Sequence, residues 1–243
     1  MTRSSGTRRH GLARVLSKRG ICSRSEAERL IRAGQVRLDG SVVRDPEHPT
    51  DVQAALIDVA GSAQATSPRY VMLNKPRGLV TTARDEHGRD TVYRCFEGSG
   101  LGWLAPVGRL DKASEGLLLF TNDPQWGAAI TDPAVGPDKT YHVQVDRVPD
   151  ADALQALVDG IDCDGETLSV KSVALLRSGG KTAWLEIVLD EGRNRQIRRL
   201  LAARDIAVLR LVRVAIGSLQ LGQLAKGQWR ELTADEIAAL GGD

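Results

Sequence analysis

The sequence predicts an α+β fold: a small N-terminal unit of two helices and a hairpin, then a larger, mostly antiparallel sheet with helices on one side. Two helical patterns and an Asp-Gly hairpin signal fall within residues 10–60, after a basic arm at residues 1–9. Strand patterns with few intervening helices fill residues 69–243, which favours this arrangement over a doubly wound fold. Residues 61–68 are small and polar and are expected to link the two domains.

The composition indicates a folded protein and argues against several classes. An apolar fraction of 42% in 243 residues can fill a core, and no stretch approaches the roughly 20 apolar residues of a membrane span. The basic start lacks the apolar centre of a signal peptide, so a cytoplasmic protein without membrane contact is expected. Three cysteines and four histidines are scattered, so we expect neither a disulfide framework nor a metal site.

The N-terminal unit can be predicted element by element. Apolar residues on one helical face predict a helix over residues 11–19, with Gly20 as its C-terminal cap. A Ser-x-x-Glu capping box at residues 23–26 opens a second predicted helix, over residues 24–33. The Asp-Gly pair at residues 39–40, between two short apolar runs, predicts a hairpin with a two-residue turn.

Positive charge is concentrated at the N-terminus. The first 44 residues contain eleven lysines and arginines against three acidic residues, although the net charge of the whole chain is only +2. A basic module on a mildly acidic body predicts that this end meets a polyanion first. The cations expected to contact phosphates are Arg14, Lys18, Arg19, Arg24, Arg29 and Arg32.

The second domain opens with a predicted strand that runs from Tyr70 to a Lys-Pro-Arg-Gly corner. This corner is either a plain turn or a place where Lys75 and Arg77 are presented to a ligand. Residues 79–82 again have the composition of a strand.

One carboxylate is prominent in the stretch GRLDKASEGLLLFTND, residues 108–123. Asp111 follows a Gly-Arg-Leu turn, and the apolar run at residues 117–120 has the length of a buried strand. The acid is therefore expected on a loop beside the core, where a partly buried carboxylate is costly unless it is paired or used. Asp111 is thus either an ion-pair partner of Arg109 or Lys112 or a functional group.

Further elements are predicted along the rest of the chain. The alternating run KTYHVQV, residues 139–145, predicts a strand with Tyr141 on one face, where it is either core or a residue over a cleft. A helix is expected over residues 151–160. Three more strands are predicted, at residues 168–176, 182–190 and 208–216, and a final helix is predicted to open with the capping box at residues 233–236.

Four arginines crowd the start of a predicted helix in EGRNRQIRRLLAAR, residues 191–204. They repel one another and oppose the helix dipole, while the apolar periodicity of the same segment places one face in the interior. Such a cluster is most easily explained by anions held close to it, either phosphates or a carboxylate. The four are Arg193, Arg195, Arg198 and Arg199.

These motifs carry two resemblances. The segment LARVLSKRGICSRSEAERLIRAGQVRLDGSVV is similar to the S4 RNA-binding module. The segments NKPRG, GRLDKASEGLLLFTND, KTYHVQV and EGRNRQIRRLL, in this order, resemble the Rsu-type pseudouridine synthases. Together the two resemblances cover nearly the whole chain. They imply isomerisation of selected uridines in ribosomal RNA, without a cofactor, on a mixed sheet with the active cleft along its middle.

The second resemblance also implies roles for individual residues. Asp111 matches the catalytic aspartate of the family, and Arg198 matches the arginine paired with it, which would keep the acid ionised. Tyr141 matches the aromatic that stacks on the flipped uracil, and Arg109 matches the arginine that takes the place of that base. Whether Asp111 attacks the sugar or the base, or acts through a glycal, stays open. The other motif cations, expected to contact RNA, are Lys75, Arg77, Arg193, Arg195 and Arg199.

The expected substrate is large-subunit ribosomal RNA, bound by a monomeric enzyme. The same chemistry on small-subunit ribosomal RNA is one alternative. The other is a ribosome-associated RNA-binding protein without catalytic activity, which the N-terminal unit alone would suggest.

Overall fold

The computed structural model describes residues 9–52, 55–60, 67–83, 85 and 87–241. The chain divides into two compact units, of which the first comprises the segment up to Tyr70 with Gly98–Ala105 and Phe120–Gln125, and the second the remainder. Of the predicted arm only Arg9 is among the described residues, and of the predicted linker only residues 67 and 68. Among the described residues, no helix has the length and apolar character needed to cross a membrane.

The N-terminal unit combines two helices with short strands. Its elements are β1 (Arg9–Gly11), α1 (Leu12–Lys18), α2 (Arg24–Arg32), β2 (Val36–Leu38), β3 (Ser41–Val42), β4 (Pro49–Asp51) and β5 (Ile57–Val59). Strand β1 pairs with β4, and β2 lies between β3 and β5. The buried side chains of Leu12, Leu16, Ala27, Ile31 and Val36 belong to one apolar cluster. Burial of this cluster is the main favourable term in the folding of so small a unit.

The two helices and the hairpin predicted for this unit are confirmed. The Ser23 hydroxyl accepts a hydrogen bond from the backbone N–H of Glu26, as an N-cap does. Both carboxylate oxygens of Glu26 accept hydrogen bonds from Arg29. Asp39 and Gly40 both have positive φ, which a two-residue type I′ hairpin turn requires.

The large sheet is built by the second part of the chain. In chain order the elements are β6 (Tyr70–Lys75), a 3-10 helix (Val92–Phe96), β7 (Ala105–Val107), β8 (Glu115–Thr121), α3 (Pro124–Thr131), β9 (Lys139–Val145), α4 (Ala151–Asp159), β10 (Ile161–Cys163), β11 (Glu166–Leu168), β12 (Ser172–Ser178), β13 (Ala183–Leu189), α5 (Gln196–Ala202), β14 (Val208–Ile216), β15 (Leu219–Gln220), β16 (Trp229–Glu231) and α6 (Ala234–Ala239). The sheet has nine strands in the order β12-β13-β9-β14-β8-β6-β16, with β15 beside β14 and β7 beside β8.

The sheet is mixed, as the resemblance to the Rsu-type enzymes implied. Strands β14 and β8 run parallel, whereas the pairs β12/β13, β13/β9, β9/β14 and β6/β16 are antiparallel. Along β9 one face is buried, with Tyr141, Val143 and Val145, and the alternate residues are partly exposed. This alternation is typical of a sheet covered on one face, and the α+β class is confirmed.

Two predictions about strands were inaccurate. Residues 79–82 form only an isolated bridge. The strand predicted over residues 168–176 is divided, because the hairpin of β10 and β11 ends at Leu168 and β12 begins at Ser172. Asp164 and Gly165 close this hairpin with positive φ angles, so an Asp-Gly turn accounts for the difference.

Candidate active site

Lys75, at the end of β6, is fully buried and holds the loop that carries Asp111. Its Nζ donates hydrogen bonds to the carbonyl oxygens of Asp111 at 3.2 Å, Ser114 at 2.9 Å and Pro76 at 3.1 Å. Burial lowers the pKa of Lys75 to about 8, and the nearby Asp111 carboxylate opposes this shift. A fully enclosed ammonium group cannot contact a phosphate, so the prediction that Lys75 binds RNA is wrong. It supports the loop instead.

Further hydrogen bonds fix the same loop on both sides of Asp111. The Thr81 hydroxyl donates to the carbonyl oxygen of Leu110 at 2.7 Å, and the Gly78 N–H donates to the carbonyl oxygen of Lys112 at 2.8 Å. The side chain of Asp111 nevertheless remains 42% exposed. The carboxylate is therefore presented to solvent by a loop whose backbone is firmly held.

Arg195 is the ion-pair partner of this carboxylate. Its Nη1 lies 3.5 Å from Oδ2 of Asp111, and no ion pair links Asp111 to Arg109 or Lys112 among the described residues. Arg195 precedes α5 and has a φ of +49°, in the left-handed region. A residue with a long side chain adopts this region at a cost of about 1 kcal/mol, so the backbone is strained at the residue that reaches the acid.

Arg198 lies near Asp111 but pairs with the loop backbone. Its Nη2 donates to the carbonyl oxygen of Ala113 at 3.3 Å, and its buried Nε has no hydrogen-bond partner in the described part of the chain. Burial and the charge of Arg195 lower the pKa of Arg198, while the charge of Asp111 opposes the shift. The predicted Arg198–Asp111 ion pair is therefore absent from the described structure, because the left-handed turn before the helix brings Arg195 to the carboxylate instead.

The other two arginines of the cluster belong to an internal network centred on Glu166. Arg199 is 2.6 Å from the Glu166 carboxylate and also donates to the carbonyl oxygen of Cys163 at 2.6 Å. Arg193 is 2.9 Å from Glu166 and 2.8 Å from Glu191. Hydrogen bonds from both arginines lower the pKa of Glu166. The anion near these two arginines is thus a carboxylate of the protein, and their predicted contact with RNA gains no support from the structure.

A cleft of about 650 Å³ brings together Arg195 and the four residues to which the resemblance assigns roles in the reaction. Asp111, Arg109, Tyr141, Arg195 and Arg198 all line it. Tyr141 is 9% exposed on the buried face of β9, and Arg109 is exposed on the loop. The volume lies in the range of small-molecule sites. The described residues form no group of three histidine, cysteine or acidic side chains that could hold a metal ion.

Sequence reasoning missed two cations that line this cleft, Lys139 and Arg213. Burial and the charge of Arg213 lower the pKa of Lys139, whereas Asp138 and Asp190 act in the opposite direction. Arg213 was detectable in principle, because it occupies an inward position of the alternating strand β14 and is only 5% exposed. A charged residue in phase with core residues indicates a special role.

The predicted RNA-binding cations of the N-terminal unit are mostly at the surface. Three of them form exposed ion pairs with Glu26, Glu28 or Glu47, namely Arg24, Arg29 and Arg32. Arg19 is partly buried and donates from Nε to the carbonyl oxygen of Val52 at 2.8 Å. Exposed ion pairs contribute little to stability, so phosphates can replace these carboxylates at small cost.

Comparison with known proteins decides the family. The family model for RNA pseudouridylate synthase matches residues 69–203, and the S4 domain model matches residues 11–53. The chain belongs to the RNA pseudouridine synthase family. It is accordingly an isomerase that converts uridine to pseudouridine in RNA, and the alternative of an RNA-binding protein without catalytic activity is set aside.

Relatives extend the match over nearly the full chain. An uncharacterized RNA pseudouridine synthase of Mycobacterium bovis is 38% identical over 234 residues, which are 94% of this chain and 92% of the relative. One of Rickettsia conorii is 35% identical over 225 residues, which are 92% of this chain and 96% of the relative. A crystal structure of a pseudouridylate synthase aligns with a TM-score of 0.68 and 30% identity, covering 95% of this chain and 99% of the other.

Proposed function

We propose that this pseudouridine synthase isomerises a specific uridine of large-subunit ribosomal RNA, with Asp111 as the nucleophile that acts on a base turned out of the RNA stack. The observation that carries the proposal is the position of the Asp111 carboxylate. It is held by a firmly fixed loop, 3.5 Å from Arg195, in a cleft that Tyr141 also lines.

The reaction requires a nucleophile and no redox partner. The bond between the sugar carbon C1′ and N1 of uracil breaks, the ring turns, and a bond between C1′ and C5 forms. C5 loses a proton and N1 gains one, so atoms and electrons balance within the nucleotide. A carboxylate can attack C1′ or C6 of the ring, or remove a proton to give a glycal, and Asp111 can serve each of these routes.

The arginine beside Asp111 has a positioning role in this proposal. The side chains of Arg195 and Asp111 are 54% and 42% exposed, so their pairing contributes little to stability. It does orient the carboxylate toward the cleft. The unpaired Nε of Arg198 offers a second donor for the carboxylate or the substrate once RNA fills the cleft.

Tyr141 and Arg109 are proposed to handle the flipped nucleotide. Removing a base from the stack costs a few kcal/mol, and such a base is held by aromatic stacking and by hydrogen bonds to its edges. Tyr141 is buried enough to provide a fixed stacking surface. Arg109 is exposed on the loop of Asp111, and we assign it to the gap that the base leaves in the RNA.

The choice of RNA rests on the resemblance to the Rsu-type enzymes and on the basic N-terminal unit. Cations spread over a small surface bind phosphates with little regard to sequence, so selectivity falls to the shape of the RNA and to the cleft. We propose a monomer that acts in the cytoplasm on large-subunit ribosomal RNA, with Arg77 among the cations that contact it.

Site-resolved mapping of pseudouridine in both ribosomal RNAs tests this choice. The comparison uses cells that contain the enzyme and cells that lack its gene. We expect one modification of the large-subunit RNA to disappear in the deletion strain and to return when the gene is restored. A loss confined to small-subunit RNA would contradict the choice of subunit, and unchanged ribosomal RNA with a loss elsewhere would contradict a ribosomal target.

A further inference from the structure

Arg213 is a buried cation beside Tyr141 in the cleft. It lies on β14 opposite Tyr141 of β9 in the antiparallel register, so the two side chains leave the sheet on the same face. Arg213 is only 5% exposed, yet both residues line the cleft. A ligand group that contacts Tyr141 therefore comes close to the guanidinium of Arg213.

The protein uses only part of this guanidinium. Its Nε donates a hydrogen bond to the carbonyl oxygen of Leu117 at 2.7 Å. Its Nη2 is buried and has no hydrogen-bond partner among the described residues. A buried charged donor without a hydrogen-bond partner is costly, and an acceptor placed next to Nη2 would remove that cost.

A purely structural role for Arg213 explains the hydrogen bond from its Nε to Leu117. It does not explain the buried Nη2 that has no hydrogen-bond partner among the described residues. The register between β8 and β14 comprises two residue pairs, Val212 with Glu115 and Arg213 with Gly116. The bond from Arg213 to Leu117 extends this short junction along β8. The Nη2 nitrogen takes no part in the junction, so a buried donor without an acceptor at the wall of the cleft needs another reason.

The depth of Arg213 determines which part of an RNA can reach it. A nucleotide that is turned out of the stack enters a pocket with its base, while its phosphates remain with the backbone outside. The exposed Arg77, already assigned to contact with RNA, is suited to those phosphates. Uracil offers two carbonyl oxygens as acceptors, and a guanidinium can only donate. A carbonyl of the base is therefore the acceptor that fits.

We propose that Nη2 of Arg213 donates a hydrogen bond to a carbonyl oxygen of the target uracil while the ring stacks on Tyr141. The inference deepens the proposed function and rests on it, because it takes the flipped base to occupy this cleft. The bond orients the ring relative to Asp111 before the glycosidic bond breaks. If the acceptor is O4, the bond also excludes cytosine, whose amino group at that position is a donor.

The test changes one acceptor atom of the RNA at a time. A synthetic RNA centred on the uridine that the wild-type enzyme modifies is prepared with uridine, 2-thiouridine or 4-thiouridine at the target, since sulfur is a weak acceptor. We expect Arg213→Gln to lower kcat/KM on the uridine RNA by roughly tenfold to a hundredfold. On one of the two thio-substituted RNAs, Arg213→Gln should lower kcat/KM little further, because the sulfur has already weakened the hydrogen bond from Arg213 to that position of the base.

Two results would overturn the proposal. Equal losses on all three RNAs would show that Arg213 acts only through the junction of β8 and β14, and an unchanged kcat/KM would show that it does not act at all. Arg213→Lys keeps a cation near Leu117 and replaces Arg213→Gln in the series if the latter fails to fold. If the proposed ribosomal target is wrong, the sequence of the synthetic RNA changes, but wild type and Arg213→Gln are still compared on the same three target nucleotides. Failure of the ribosomal target and failure of the role of Arg213 are therefore distinguishable.

Discussion

Arg195 holds its Nη1 nitrogen 3.5 Å from Oδ2 of Asp111, and it does so from a left-handed backbone with a φ of +49°. Arg198, one turn further along, donates to the backbone of the same loop instead. An ion pair between two such exposed side chains contributes at most about 1 kcal/mol, which barely offsets the strain of the backbone. Stability alone therefore gives no reason for this geometry, whereas orientation of the proposed nucleophile does.

Replacing Arg195 with glycine should separate stability from activity. Glycine adopts a positive φ without strain, so we expect the free energy of unfolding of Arg195→Gly to stay within about 1 kcal/mol of wild type. Pseudouridine formation should slow by about tenfold or more, because the carboxylate loses its orienting cation. Urea denaturation and a timed RNA assay measure the two effects.

Asp205 provides the matched control for this substitution. It also has a positive φ, of +55°, and it is exposed and does not line the cleft. Asp205→Gly should keep full activity with a similarly small change in stability. Wild-type activity in Arg195→Gly would show that the Arg195–Asp111 pair has no part in catalysis.

Removing the Lys75 ammonium group should loosen the loop that carries Asp111. Lys75→Met leaves three carbonyl oxygens without their buried donor, so the free energy of unfolding should fall by about 3 kcal/mol or more. Activity measured well below the melting temperature should fall as well, since Asp111 loses its support. Arg77→Met, an exposed neighbour in the same corner, should change stability by no more than about 0.5 kcal/mol. Equal stability of the two variants would contradict the supporting role of Lys75.

The pKa of Lys75, lowered to about 8 by burial, predicts loss of activity in mild alkali. The neutral amine has two N–H donors for three carbonyl oxygens, so the loop should loosen as pH rises through this value. The unfolded chain keeps its proton up to the usual pKa of 10.5. Between about pH 8 and pH 10.5 the unfolded state therefore binds more protons than the folded state, so Lys75 makes the free energy of unfolding rise with pH over this range.

Activity and urea denaturation measured over one pH series test that prediction. We expect kcat to decline through about pH 8 while the protein remains folded. A flat activity profile across that value, or a decline that coincides with unfolding, would contradict the assignment to Lys75.

The exposed cations of α1 should contribute to the salt dependence of RNA binding. The double variant Arg14→Gln, Lys18→Gln removes two predicted phosphate contacts, so the slope of log K against log salt should become shallower by about 1.5 to 2. A control variant with Arg147→Gln and Lys181→Gln removes two exposed cations outside the predicted RNA-binding set and should leave the slope unchanged. Identical slopes for both double variants would show that α1 does not contact phosphates.

Local patterns predicted much of the fold. The alternation in KTYHVQV matched β9 at both ends, from Lys139 to Val145, and the capping box at Thr233 and Glu236 is present in full. The Asp-Gly turn at residues 164–165 carried the same signal as the one at 39–40 but was overlooked, and the strand after it was placed too early.

The contacts within the site were harder to predict, since they depend on distant parts of the chain. Glu166, on the hairpin of β10 and β11, forms ion pairs with Arg193 and Arg199. No local sequence pattern predicts these ion pairs. Likewise, the strained turn at Arg195 decides which arginine reaches Asp111. The sequence pattern indicated that the arginine cluster holds an anion, and the resemblance to the family paired Arg198 with Asp111. Only the three-dimensional fold could assign the partners of each arginine.

We propose that the Asp111 carboxylate carries out the isomerisation, and pseudouridine formation by Asp111→Asn is the measurement that tests this role. Asparagine keeps the size of the side chain, and the hydrogen bonds that hold the loop involve its backbone, so the variant should fold and bind RNA as the wild type does. We expect this folded, RNA-binding variant to form no pseudouridine. Formation of pseudouridine at the wild-type rate would contradict it.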